Sequence, residues 1–325
     1  MAELPVILRK PIGSDAPLPG WRANVGEPLA LELAPPPDSE VRSLLVLTWN
    51  VWIGRGDLAG LFRAIRGGAY AGAGFPAGLP LVALVQEAYR ADETVRATSN
   101  GCSARDFSSR GGHERQIAAI ARRLALDLRY APSMRNGSER SDRGNAILSS
   151  LPLEDAAAVE LPFGMQRRVA VSATVRIAGR KLRLTSAHLD PRGARARDLL
   201  GIAGRRAQVR SLLESMHNAD GIPRLLGADL NLARQRREPA FRALVEAGFA
   251  SGIPAREPGW GHTYHRLPRL LLDWLMVSGG DGISRMEVQR LDEHPRDTGR
   301  YVFGSDHHPL LARIDLDPDA GVVHA

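Results

Sequence analysis

Cysteine, lysine and aromatic residues are all scarce in this sequence. Cys102 is the only cysteine, so no internal disulfide forms and no cysteine-based zinc site is available. A reducing compartment fits that scarcity. No apolar run approaches the roughly 18 residues needed to span a bilayer, and the first residues lack a basic segment followed by an apolar stretch. A cytoplasmic monomer with no transmembrane segment and no export signal is therefore expected. No internal repeat is present. Lysine is almost missing: Lys10 and Lys181 are the only two among 43 basic residues, and arginine supplies the rest. Against 36 acidic residues the net charge is +7 and the pI about 10.2. Such a balance attracts polyanions, and arginine grips phosphate bidentately, although a GC-rich coding composition produces the same bias. The 44% hydrophobic and 24% charged content, over 325 residues, supplies enough apolar material for a large core.

Residues 1–40 carry scattered prolines, ending in Pro35-Pro36-Pro37, and show no sustained period. They read as an extension lying along a body that occupies residues 41–317, with a short tail over 318–325. From Val41 onward short apolar runs recur: Leu44–Leu47, Leu81–Val85, Ala146–Leu148, Val169–Ile177, Leu182–Leu189, Leu225-Leu226, Leu275–Val277 and Leu310–Ile314. Bounded by Gly, Pro or Ser, they predict buried strands. Helical spacing of Ile117, Ile120, Ala121, Leu124 and Leu128 predicts a helix within 113–128, and Arg195–Met216 and Pro239–Phe249 read likewise. Val175–Leu184 reads as a hairpin turning at Ala178-Gly179, so the sheets must contain antiparallel pairs. Thr94–Gly112, rich in Ser, Gly and Arg, reads as a long loop.

Polar residues cluster where the apolar runs end. Thr48-Trp49-Asn50-Val51 follows the first and Gln86-Glu87 the second; Ser186-Ala187-His188-Leu189-Asp190 closes the fifth. Gly227-Ala228-Asp229-Leu230-Asn231 follows Leu225-Leu226, Asp273-Trp274 opens a later run, and Ser305-Asp306-His307-His308-Pro309 precedes the last. Strand ends are where α/β folds place reacting groups, so six clusters can converge on one pocket. Glu87 and Asp306 are hard oxygen ligands suited to magnesium or manganese, and Asn50 adds a neutral amide oxygen. Asp229 suits proton acceptance from water, with Asn231 orienting it. His188 and His307 can hold phosphoryl oxygens, and a carboxylate such as Asp273 would orient an imidazole and raise its pKa. Each element alone has a structural explanation, as a turn, a cap or a core histidine. Their joint occurrence in this order does not.

The ordered set, with Arg143-Gly144-Asn145-Ala146-Ile147-Leu148-Ser149 between the second and third clusters, resembles the endonuclease/exonuclease/phosphatase, or DNase I-like, superfamily from about Leu44 to Ile314. The resemblance implies a four-layer α/β sandwich, with two mixed β-sheets packed face to face and helices outside. It also implies Mg²⁺ dependence, with Mn²⁺ as a substitute. By position, Glu87 matches the principal metal ligand, with Asn50 and Asp306 nearby. Asp229 and Asn231 match the Asp-x-Asn pair around the nucleophile, and Asp273 with His307 the carboxylate–imidazole pair. His188 matches the histidine of the DNase I and sphingomyelinase branches. Asn145 and Arg167 fall near phosphate-contacting positions, with Arg168 as the alternative to Arg167. Hydrolysis of nucleic-acid phosphodiesters is the expected activity; a small or lipid phosphate ester is the alternative substrate, and a non-catalytic binding protein on the same fold the third reading. Arg105, Arg110, Arg135, Arg140 and Arg192 are the expected contacts to a nucleic-acid backbone.

Overall fold

In Leu44–Leu47 the side chains alternate between two interiors. Leu44 and Val46 face one apolar cluster, Leu45 and Leu47 another. A strand buried on both faces needs no polar alternation, which is why these runs are continuously apolar. The computed structural model describes residues 7–9, 17–36, 41–102, 113–193, 198–216, 221–254, 261–279, 282–293 and 301–316.

In chain order the elements are β1 (Ile7–Arg9), α1 (Leu18–Arg22), β2 (Leu29–Leu31), β3 (Ser43–Asn50), α2 (Leu58–Arg66), β4 (Leu81–Ala91), α3 (Ile117–Leu124), β5 (Asp127–Arg135), β6 (Ser141–Ser149) and β7 (Glu154–Glu160). They continue with β8 (Val169–Ile177), β9 (Arg180–His188), α4 (Ile202–Ser215), β10 (Arg224–Asp229), α5 (Pro239–Glu246), β11 (Ala250–Ser251), β12 (Asp273–Ser278), β13 (Ile283–Arg290) and β14 (Leu310–Leu316). One seven-stranded sheet has the order β1-β7-β8-β9-β10-β12-β11, the other β13-β14-β3-β4-β6-β5-β2. Both are mixed: β9 and β10 run parallel, as do β3 and β4, among antiparallel neighbours. Leu44, Val46, Val82, Leu84 and Ile147 of one sheet meet Val171, Ala173, Leu184, Leu225 and Leu275 of the other. Leu58, Phe62 and Ile65 of α2 and Ile117 and Ile120 of α3 cover the outer face of the β3–β4–β6 sheet. Val209 and Leu212 of α4 and Phe241 and Leu244 of α5 cover the other. The result is the four-layer sandwich, with helices on both outer faces.

Each of the eight apolar runs coincides with a strand. The hairpin also forms: Ile177 pairs with Arg180, and Ala178 and Gly179 both take positive φ, 49° and 76°. Two left-handed central residues make the type I′ turn that suits two-residue hairpins. Three boundaries differ from expectation. Leu128 belongs to β5, not to α3, because Ala125 adopts φ 50° and ends the helix. The helix expected from Arg195 is described from Ile202 to Ser215, and the one from Pro239 ends at Glu246. Within the N-terminal segment, β1 pairs parallel with β7 and β2 antiparallel with β5, so this segment supplies an edge strand to each sheet. The tail at 318–325 and loop positions 103–112, with Arg105 and Arg110, lie outside the described residues.

Candidate active site

Strand parity aims the polar clusters into the space between the sheets. On β10, Leu225 belongs to the inter-sheet core while Leu226 and Ala228 face the helices. Gly227 and Asp229 therefore share the inter-sheet face. A Cβ at Gly227 would lie 2.7 Å from Leu84 Cδ1 and 2.8 Å from Thr48 Oγ1, so only glycine lets the sheets approach this closely. The Gln86 amide uses that approach, donating to Ser186 Oγ (3.1 Å) and the Gly227 carbonyl (3.2 Å) across the gap. At the strand ends, parallel pairing sets His188 beside Asp229, and antiparallel pairing sets Asp273 on its other side. Asn50 arrives from the facing sheet and donates from Nδ2 to Asp229 Oδ2 at 3.0 Å.

Glu87 has the wrong parity. Gln86 already occupies the inward position of β4, so a regular strand would turn Glu87 toward the helices. The β4–β6 register slips between Val85 and Ala88, and Glu87 adopts φ 53°. Such a bulge re-aims a side chain, and a left-handed non-glycine residue is the kind of local strain that active sites retain. Glu87 consequently lines a cleft with Ser133, Met134, Arg143, Gly144, Asn145, Arg168 and His188.

The electrostatics divide the two histidines. His307 Nδ1 donates to Asp273 Oδ2 at 2.7 Å, and His307 Nε2 stands 3.9 Å from Asp229 Oδ2. Burial opposes charge on this ring, but Asp273, Asp229 and Asp306 outweigh it and push its pKa up to about 10. His188 Nε2 is 3.3 Å from Asp229 Oδ2. Burial, then Arg168, His307 and Arg143, hold its pKa well below the ordinary histidine value, so this imidazole is neutral. Asp229, 1% exposed, is raised to about 7 by burial and by Asp273, against the opposing pull of His307 and its bonds from Asn50 and the Asn231 amide. Burial and then Glu87 raise Asp306, while His307 and Arg266 lower it. Asp229, Asp273 and His307 offer ligand atoms within 4.8 Å of one another, one of two such metal-competent groups among the described residues.

The match to the model of the Endonuclease/Exonuclease/phosphatase family extends over residues 47–307. The chain belongs to the endonuclease/exonuclease/phosphatase family. Solved members of the fold resemble it at low identity. The catalytic domain of human Nocturnin with bound sulfate is 18% identical, with 89% of this chain and 97% of that chain covered and a TM-score of 0.55. The endonuclease/exonuclease/phosphatase from Bacteroides vulgatus is 14% identical, with 85% and 99% covered and a TM-score of 0.55. D. rerio TDP2 complexed with a single-strand DNA product is 16% identical, with 84% and 99% covered and a TM-score of 0.51. No match was found among curated proteins. The family is a class of phosphoesterase hydrolases, typically dependent on divalent metals. No helix among the described residues is long and apolar enough to cross a membrane.

Asn50, His188, Asn231, Asp273 and His307 thus gather around the Asp229 carboxylate in this family member, with Glu87 and Asn145 on the adjoining cleft wall and Asp306 within electrostatic reach of Glu87 and His307. Asn231, at φ 51°, donates from its side chain to the Leu189 carbonyl at 2.9 Å, which ties its loop to the end of β9. Asn145 donates to the Val169 carbonyl at 2.6 Å. Arg167 turns away: it pairs with buried Glu160 and donates to the carbonyls of Pro132 and Ser133. Arg168, one residue on, lines the cleft instead, held by Asp190 Oδ1 at 2.9 Å. Arg143 was not singled out from the sequence. It is 7% exposed, and Nη1 has no hydrogen-bond partner among the described residues. Its signal was available: Arg143 stands two residues before Asn145 on β6, hence on the same strand face. Two expected backbone contacts are already committed inside the protein. Arg135 donates to the carbonyls of Arg96, Ala97, Gly137 and Ser138, and Arg140 to those of Glu93 and Val95. Arg192 is exposed.

Proposed function

We propose that this chain is a Mg²⁺-dependent phosphodiesterase that hydrolyses nucleic-acid phosphodiester bonds. The observation that carries the reading is the Asp229 carboxylate, buried within 4 Å of a neutral histidine and a charged one, beside an arginine-lined cleft. A carboxylate raised to about 7 is basic enough to take a proton from an attacking water. Asn231 orients that water, and the Asn50 amide holds the carboxylate in line. His307, kept charged by Asp273, donates from Nε2 to a phosphoryl oxygen as negative charge grows there. Arg143 and Arg168 bind the anionic diester, and Arg143 Nη1 brings donors not committed elsewhere. Glu87, Asp306 and the Asn50 amide oxygen would hold the metal. Oxygen donors of this kind fit Mg²⁺ or Mn²⁺, and the crowding of Glu87 on Asp306 is relieved by a cation. When bound, the cation neutralises phosphoryl charge.

A nucleic-acid substrate is favoured over a lipid by the rim next to Asn50 and Asp306. Trp52 lies 5.1 Å from Tyr301, Arg55 stacks 4.0 Å over its ring, and Arg266 reaches to 3.7 Å from Asp306. Aromatic and guanidinium groups suit bases and phosphates; a lipid site would present an apolar rim. The DNA product in the D. rerio TDP2 complex agrees with this substrate class. Purified protein with Mg²⁺ should cleave plasmid DNA or RNA and bis-p-nitrophenyl phosphate, but not p-nitrophenyl phosphate. Asp229→Asn should lower turnover about 10²–10⁴-fold. Preference for the monoester would overturn the diesterase reading.

A further inference from the structure

Next to the segment that carries Asp306 and His307 stands a second group of imidazoles. His262, His265 and His308 each bring one ring nitrogen within 4.8 Å of the others. The rings of His262 and His265 face His308 at centroid distances of 5.1 and 5.2 Å, tilted 83° and 66° to it. We propose that these three histidines form a second metal site, selective for a zinc-class cation and distinct from the oxygen-rich centre around Glu87 and Asp306.

Three observations carry the proposal. The first is spacing. His265 Nδ1 and His308 Nε2 are 3.3 Å apart. Two nitrogens bound at about 2.0–2.1 Å to one tetrahedral zinc stand about 3.3–3.4 Å from each other. The second is the tautomer of His308. Its Nδ1 faces two acceptors, Asp292 Oδ1 at 2.8 Å and the Leu291 carbonyl at 3.3 Å. Nδ1 therefore carries the proton, and Nε2 turns its lone pair toward the other two rings. A carboxylate behind a ligating imidazole is the usual outer support of a zinc site. The third is that Asp292 is itself anchored: Arg290 Nε and Nη2 donate to it at 3.1 and 3.2 Å, while Arg290 Nη1 holds the His262 carbonyl at 2.8 Å. One arginine thus fixes both the carboxylate and the backbone of another ligand.

Three imidazole nitrogens favour Zn²⁺, Co²⁺ or Ni²⁺ over Mg²⁺, which prefers oxygen. The cation would act as a brace. The His265 amide already donates to the Asp306 carbonyl (2.7 Å) and the His308 amide to the Thr263 carbonyl (2.8 Å), while Thr263 Oγ1 accepts from the Asp273 amide (2.9 Å). A metal joining His262 and His265 to His308 locks together the segments that carry Asp306, His307 and Asp273.

Cobalt(II) titration of chelator-treated full-length protein tests this, read by the visible absorption of tetrahedral cobalt and by bound equivalents. Wild type and Glu87→Gln should both bind Co²⁺ with that absorption, and excess Mg²⁺ should not displace it. His262→Gln and His265→Gln should each lose one equivalent and the absorption, and Asp292→Asn should weaken binding about tenfold. His262 is half-buried, so His262→Gln is the variant expected to keep the metal-free melting temperature. Cobalt absorption and stoichiometry unchanged in both histidine variants, or absent in wild type, would overturn the site and leave a hydrogen-bonded histidine pair.

Discussion

Between Val85 and Ala88 the pairing of β4 with β6 slips, and the left-handed Glu87 at that slip is the one acidic side chain on the cleft wall. Identifying Glu87 from the order of its neighbours was possible. Seeing that a bulge aims it was not, because Gln86-Glu87 carries no glycine or asparagine to announce a positive φ. Arg143 was overlooked for the opposite reason: in a chain with 43 basic residues one more arginine raises no signal until its burial is known. Arg167 and Arg168 are adjacent, and only the geometry of the chain as it enters β8 decides which pairs with Glu160 and which reaches the cleft. Glu87→Gln keeps the side-chain shape and removes the charge. Its melting temperature should stay close to wild type while turnover on bis-p-nitrophenyl phosphate falls at least 10²-fold at saturating Mg²⁺. Undiminished turnover would remove Glu87 from the metal site.

The strands legible from composition, β3, β4, β6, β8, β9, β10, β12 and β14, are rich in side chains buried against apolar neighbours. Of those missed, β1, β2 and β11 are only two or three residues long, and β5, β7 and β13 carry charge. On β5, Arg129 and Arg135 are buried by bonds to main-chain carbonyls; β13 is an edge strand with exposed side chains. On β7, Glu160 is wholly buried between Arg22 of α1 and Arg167. Burial alone would raise its pKa, but the two guanidinium groups outweigh it and hold it below its ordinary value of 4.5. A carboxylate whose folded pKa is depressed stabilises the fold fully above the unfolded pKa and loses that contribution as pH falls through the folded one. Glu160→Gln leaves Arg167 buried without its counter-charge and should cost about 3–5 kcal/mol at pH 7. In urea melts the gap between wild type and variant should narrow steadily below about pH 4.5. A gap that is constant from pH 7 to pH 3 would mean that the pair contributes packing only.

At the scale of the molecule, the net charge of +7 overstates what a polyanion meets. Arg90, Arg129, Arg135, Arg167 and Arg205 are buried and hydrogen-bonded within the protein. Exposed or half-exposed candidates are Arg266 and Arg55, both at the Trp52 rim, and Arg192 on the connection between β9 and α4. Each backbone phosphate neutralised on duplex DNA contributes about −0.9 to the slope of log K against log salt. Asp229→Ala binding a short duplex should therefore give a slope near −3 if those three make contact. A flat line would favour a small phosphate ester as substrate.

The bond from Asn50 to Asp229 crosses from one sheet to the other, whereas His188, Asp229 and Asp273 lie side by side within a single sheet. Fluctuations that shear or twist a sheet leave the row of three intact, but those that widen the gap at Gly227 pull the amide away from the carboxylate. If Asp229 is the proposed base, turnover should follow the breathing of the interior and fall on warming before the far-ultraviolet signal of the helices is lost.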